Sequence, residues 1–190
     1  MTEQVYHILV TRTCDHKCPV CCNKLYDLDK LPAVTPDNLR EADTVCLTGG
    51  EPLLLGYEQL YTLARRIRTQ YPNIKKLYVY TSGQRLKKIQ EYSWCDLSKY
   101  INGFSVSPKG LSEWVAFAEF AANKILSEIS TSRNMSNRLY VFDEQVESWE
   151  RVKDAYNLHL DSSWDVIGRK WDKTFKTPEN EHFVRLPILY

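Results

Sequence analysis

Apolar residues gather along this chain into short runs, separated by longer stretches in which they recur every three or four positions. The runs at Val5–Thr11, 44–48, Lys76–Thr81, 101–107 and 139–142 are rich in Val, Ile, Tyr and Phe and predict strands. A weaker run at 158–161 predicts a sixth. Between them, Pro36–Glu41 follows Thr35, a capping residue type, with proline at the first helical position. In Tyr57–Gln70 the apolar residues Leu60, Leu63, Ala64 and Ile67 fall on one helical face, and Pro72 closes the stretch. Further helices are predicted at 84–91, 111–129 and 145–155. The middle one is the longest, with Trp114, Val115, Ala118, Ala121, Ala122 and Ile125 on one side.

Strands alternating with helices are the pattern of parallel βαβ units. At about 30 residues per unit the chain holds about six, short of the roughly 250 residues of a closed eight-stranded barrel. An open sheet or an incomplete barrel fits. In either, chemistry belongs to the loops beyond the C-terminal ends of the strands. Those loops carry residues 14–21 after the first strand, 49–52 after the second, Ser82-Gly83 after the third and Pro108-Lys109-Gly110 after the fourth.

Composition narrows the field. Hydrophobic residues make up 43% and charged residues 26% of 190, and the formal net charge is +1. That balance creates no field favouring nucleic acid or an anionic membrane. No low-complexity linker divides the chain, so one domain is expected over 1–190, with a core at 1–160 and a C-terminal extension at 161–190 packing on it. Trp164, Trp171, Phe175 and Phe183 make that extension a packing segment; Trp164, Asp165, Arg169 and Trp171 read as packing and surface, with the lining of a binding side as the alternative. No apolar run reaches the roughly 18 residues of a membrane span. The N-terminus lacks the basic and apolar regions of a signal peptide. The expected location is cytoplasmic, where six cysteines do not read as a disulfide framework.

Cys14, Cys18 and Cys21 are spaced to converge on one small object. Three thiolates serve three irons of a four-iron cluster and leave the fourth for an exogenous ligand, where the common cluster spacings supply four protein ligands. A structural zinc site needs four closed ligands, for which His16 or Cys22 is the remaining candidate. A non-catalytic zinc-binding module is therefore the reading of a different class. Cys22, Cys46 and Cys95 read as packing cysteines. His16 and Lys17 lie within the loop, as solvated side chains or as groups that tune a cluster.

The C-x3-C-x2-C loop after strand one, Gly49-Gly50-Glu51-Pro52 after strand two and Thr81-Ser82-Gly83 after strand three together resemble the radical S-adenosylmethionine (SAM) enzymes. The likeness spans about residues 5–110, and the strand order carries it to about 160. It departs from the usual pattern at Val20, where an aromatic residue is common. The resemblance implies an α/β fold, a partial (β/α)6 barrel with mostly parallel strands. It implies that Cys14, Cys18 and Cys21 bind a [4Fe-4S] cluster whose open iron takes the amine and carboxylate of SAM. Gly49, Gly50 and Glu51 would meet the methionyl amine. Ser82, Ser107 and Lys109 would meet the ribose or carboxylate. The implied chemistry is reductive cleavage of SAM, fed by an external reductant of flavodoxin or ferredoxin type. A small molecule or a peptide or protein substrate would then lose hydrogen to the 5′-deoxyadenosyl radical. No second cysteine cluster follows, which points to the single-cluster members, among them glycyl-radical-enzyme activases and 7-carboxy-7-deazaguanine synthase. Ser105-Val106-Ser107-Pro108-Lys109 is similar to a Ser-Pro-Lys of the synthases, whereas Cys22-Asn23 stands where they carry Asp-Thr.

Overall fold

A computed structural model describes residues 2–16, 18, 21, 27–172, 174 and 176–187. In chain order its elements are β1 (Val5–Thr11), α1 (Pro36–Glu41), β2 (Thr44–Gly49), α2 (Tyr57–Gln70), β3 (Lys76–Thr81), α3 (Glu91–Leu97), β4 (Gly103–Val106), α4 (Leu111–Ala121), α5 (Lys124–Ser132), β5 (Asn137–Phe142), α6 (Val146–Ala155), β6 (Trp164–Arg169) and β7 (Glu181–Arg185). Short 3-10 turns lie at Pro52–Leu55, Leu86–Lys88 and Asp143–Gln145. The chain divides into two compact units, Met1–Tyr80 with Asp172–Tyr190, and Thr81–Trp171.

In the first unit the strands run in the order β3-β2-β1-β7. Their registered pairs are all parallel, with Val5 opposite both Thr44 and Glu181. Every β1 residue after Val5 is buried, as expected of a parallel strand covered on both faces. The start of α1 is set by a capping box: the Thr35 hydroxyl accepts from the Asn38 backbone at 3.2 Å, and the Asn38 carboxamide accepts from Thr35 N–H at 2.9 Å. On α2 the buried residues Leu60, Ala64 and Ile67 form the predicted stripe. The α/β class and the strands at Val5–Thr11 and Lys76–Thr81 are as the sequence predicts. These βα repeats are the building block of a partial (β/α)6 barrel.

The second unit has the order β6-β5-β4, again parallel. Its core is aromatic. Trp94 is fully buried, stacks on Phe104 with centroids 5.0 Å apart, and donates its indole N–H to Ser130 Oγ at 3.0 Å. Phe117 meets Trp164 edge-on at 5.0 Å and Trp149 at 6.2 Å. The buried Asn137 side chain accepts from Phe104 N–H at 2.9 Å and donates to Ser163 Oγ at 3.2 Å. One polar side chain thus ties β5 to the start of β4 and to the turn before β6.

Several expectations are corrected. The helix predicted over 111–129 is two helices. Asn123 interrupts it because its carboxamide oxygen accepts from Ile125 and Leu126 N–H and opens α5 as an N-cap. The helix predicted at 84–91 is a 3-10 turn followed by α3. The weak strand at 158–161 is absent; the chain reverses at Asn157 in left-handed backbone (φ 44) and the strand comes later, as β6. Within the extension at 161–190, β6 belongs to the second unit and β7 to the first. Phe175 lies outside the described residues.

β7 attaches to β1 through a pair of which His7 is buried and Glu181 half-buried. His7 Nε2 lies 3.0 Å from Glu181 Oε2, and its ring stacks on Phe183 at 4.5 Å. Burial holds the His7 imidazole below its ordinary 6.5, against the pull of the Glu181 carboxylate. The unfolded chain therefore takes up the proton first. The stabilisation is present above about pH 6.5 and is lost as the pH falls through the folded value. In His7→Gln the midpoint of thermal unfolding should fall less steeply than in the wild type between about pH 7 and pH 5. Parallel curves would remove His7 from the account.

Candidate functional site

Residues 14–21 and 49–52 follow the C-terminal ends of β1 and β2, adjacent parallel strands of the first unit. β1 does not end cleanly. Its register against β2 shifts between Leu9 and Thr11, so Thr11 lies opposite Gly49. Such a bulge re-aims the chain at the rim of a sheet. The segment 11–13 then zips to the glycine turn. Gly50 N–H donates to Thr11 O at 2.7 Å and Glu51 N–H donates to Thr13 O at 2.8 Å. Thr13 N–H donates to the Thr11 hydroxyl at 3.1 Å. The residue immediately before Cys14 is thereby held by the motif that follows β2.

The two glycines are required by this approach. A Cβ on Gly50 would lie 2.0 Å from Thr13 O, and one on Gly49 would lie 2.4 Å from Leu9 Cδ1 and 2.5 Å from Thr11 O. Gly49 also has φ +115, a backbone conformation that favours glycine. Their freedom serves contact with the cysteine loop's own backbone. Glu51 is 1% exposed, and its carboxylate accepts from Leu53 N–H at 3.2 Å, starting the turn at Pro52–Leu55.

Cys14 is exposed, Cys18 and Cys21 are half-buried, and all three are unbridged. Partial burial pushes the Cys14 thiol up, Glu51, Asp15 and Cys21 add to the rise, and a backbone hydrogen bond involving His16 opposes it. A thiolate in that setting calls for a cation beside it. Among the described residues, no three His, Cys, Asp or Glu side chains converge on one metal-binding point. The sequence places the three thiols on one loop beyond β1. The donor chemistry and the glycine-held stem fit a thiolate-bound cluster. His16 pairs with Asp15 at 3.2 Å. Cys22, Val20, Asn23 and Lys17 lie outside the described residues. Cys46 is buried in β2 and Cys95 half-buried in α3, beside Arg133.

The sequence missed what holds the loop's far end. Arg12 pairs with Asp29 at 2.5 Å across it. Beyond it, β7 grips the returning chain: Arg185 N–H donates to Pro32 O at 2.9 Å, Val34 N–H to Arg185 O at 2.8 Å, and the Arg185 guanidinium to Leu31 O at 3.1 Å. The arginine at the end of a run with interleaved polar residues was the available signal.

In the second unit, Ser82 and Ser107 are half-buried beyond Thr81 and β4. Ser107 N–H donates to Thr81 O at 2.9 Å. The Lys109 ammonium donates to Ser107 Oγ at 2.7 Å and sits 3.3 Å from the centroid of the Phe142 ring. Its backbone N–H donates to the buried Glu113 carboxylate, which stands in the first turn of α4. Ser107 and Lys109 therefore form one anchored group. No helix among the described residues is long and apolar enough to cross a membrane.

The family model for a 4Fe-4S single cluster domain matches residues 5–110. No curated protein matches the sequence. Among solved structures, polyhistidine-tagged anSMEcpe with bound AdoMet is similar at 18% identity and a TM-score of 0.49, over 87% of this chain and 51% of that one. Native anSMEcpe with bound AdoMet and the Cp18Cys peptide is similar at 18% identity and a TM-score of 0.45, over 86% and 50%. The chain thus spans about half the length of the solved structures it matches.

Proposed function

The chain belongs to the 4Fe-4S single cluster domain family, and from that premise we propose that it is a radical SAM enzyme that cleaves SAM reductively to draw hydrogen from a substrate. The cofactors are a [4Fe-4S] cluster and SAM, and Cys14, Cys18 and Cys21 are the residues that would hold the cluster. When bound, the reduced cluster would supply the one electron that breaks the sulfonium S–C5′ bond of SAM to methionine and a 5′-deoxyadenosyl radical able to take a hydrogen atom. The electron comes from an external reductant of flavodoxin or ferredoxin type.

The chain's own work is positioning. The observation that carries the reading is the pair of hydrogen bonds from Gly50 and Glu51 to Thr11 and Thr13. They make the turn after β2 and the stem of the cysteine loop one rigid piece. In this reading Gly49, Gly50 and Glu51 present the surface for the methionyl amine. Glu51 is fixed before any ligand arrives, since its buried carboxylate already caps the following turn. Ser82, Ser107 and Lys109 are assigned to the ribose or carboxylate, with Lys109 holding the Ser107 hydroxyl in place. Preset donors of this kind need no reorganisation when the ligand binds.

The substrate is a small molecule or a peptide or protein. A 7-carboxy-7-deazaguanine synthase-like reaction and glycyl-radical-enzyme activation are the two alternatives: Ser105-Val106-Ser107-Pro108-Lys109 is similar to a Ser-Pro-Lys of the synthases, and Cys22-Asn23 departs from their Asp-Thr. The test of the shared premise is spectroscopic. Anaerobically reconstituted protein should carry about four irons and four sulfides per chain. The electron paramagnetic resonance spectrum of its reduced cluster should change on adding SAM. A zinc-loaded protein, or a cluster spectrum indifferent to SAM, would overturn it.

A further inference from the structure

The second unit's sheet has two unlike faces. Register aligns Ser105 with Arg138 and Asp165, Tyr140 with Ile167, and Phe142 with Arg169. Because side chains alternate along a strand, these rows share one face. The opposite face carries Phe104, Leu139, Val141 and Trp164 into the aromatic core. Burial along β5 alternates between buried and half-buried. Parallel strands are ordinarily covered on both sides, so the half-exposed row on a central strand of this unit is unusual.

That row is cationic. Arg169 lies 5.3 Å from the Tyr140 ring and Lys109 lies 3.3 Å from the Phe142 ring. Arg138 stands on the same row opposite Asp165, and the Glu113 carboxylate accepts from the Lys109 backbone N–H. Among the described residues no carboxylate lies within ion-pairing distance of Arg169; its contact is the face of Tyr140. Aromatic faces orient cations without neutralising them. The Ser105 hydroxyl, on the same face and wholly buried, has no hydrogen-bond partner among the described residues. Buried hydroxyls are seldom left so.

We propose that this face of β4, β5 and β6 binds the carboxylate of a small organic acid, with Arg169 and Arg138 as its cationic partners and Tyr140 and Phe142 as its flat walls. A planar guanidinium fork matches a planar carboxylate. The same fork also fits a phosphate, and inorganic phosphate is therefore the competing probe. That this acid is the substrate rests on the reading above; that the face binds it does not. Arg169 then sets substrate class.

The test is calorimetric titration of the full chain with sodium benzoate at low ionic strength, without SAM. Saturable binding is expected. Arg169→Gln and Arg138→Gln should each weaken it about tenfold or more, the loss of one charge-assisted pair. Arg151→Gln, exposed on α6, should not. Non-saturable heats would overturn the proposal. So would wild-type binding by both variants with wild-type circular dichroism and melting. Tighter binding of inorganic phosphate than of benzoate would overturn the carboxylate assignment. The titration involves no cluster, so a saturable result alongside absent SAM cleavage would discard the enzyme reading and leave the anion site standing.

Discussion

Cys18→Ala abolishes cluster binding and SAM cleavage together. Cys18 lies between the other two thiols in sequence, so its loss leaves only Cys14 and Cys21 of the three thiols assigned to the cluster, and Cys22, adjacent to Cys21, does not restore their spacing. The fold should survive. Cys18 belongs to a loop beyond β1, outside the apolar core that stabilises the first unit, so the melting temperature of the apo protein should change little. Cys14→Ala and Cys21→Ala should behave alike, whereas replacing the buried Cys46 should leave iron content intact. The measurement is iron and sulfide per chain, with melting of the metal-free proteins alongside. A Cys18→Ala protein with full cluster content and activity would refute the ligand assignment.

Gly50→Ala has the second-largest expected effect, and it acts without removing any ligand. The added methyl would sit 2.0 Å from Thr13 O and 2.9 Å from the Arg12 carbonyl carbon. Backbone atoms cannot rotate aside as a side chain can. The turn after β2 must back away, and the 2.7 and 2.8 Å bonds to Thr11 and Thr13 are lost or stretched. Two such bonds are worth about 1 kcal/mol each, and overpacking adds about 1–3 kcal/mol. A displacement of about 1 Å at a reacting site costs on the order of a hundredfold in rate. We therefore expect a clear fall in melting temperature and about a hundredfold loss of 5′-deoxyadenosine formation. Gly168→Ala is the matched control, since a methyl there meets nothing within 4 Å. Equal activity of the two variants would dismiss the zipped stem as the reason for the Gly-Gly turn.

These expectations draw on both the readable and the unreadable parts of the sequence. The strand at Val5–Thr11 and the helix at Tyr57–Gln70 were legible because their signals are local: an apolar run in one, a stripe closed by Pro72 in the other. The break at Asn123 is also local, yet invisible to periodicity, because the apolar spacing continues across it while the carboxamide restarts the helix. β7 was illegible for a different reason. Its polar residues make sense only against partners far along the chain, with Glu181 on His7, His182 stacked on Tyr6 and Arg185 on the carbonyls at 31 and 32. Cys14, Cys18, Cys21 and the Gly-Gly-Glu could be picked out because few tasks need those residue types so spaced. That the glycines make room for backbone appears only once the bulge between Leu9 and Thr11 brings segment 11–13 over them.

The most direct measurement is 5′-deoxyadenosine. Anaerobically reconstituted protein is incubated with SAM, with and without dithionite, and the nucleoside is quantified by chromatography. The account predicts 5′-deoxyadenosine and methionine in equal amounts, only with reductant, and none from Cys18→Ala. A protein with full iron and sulfide that leaves SAM intact under reductant would contradict it.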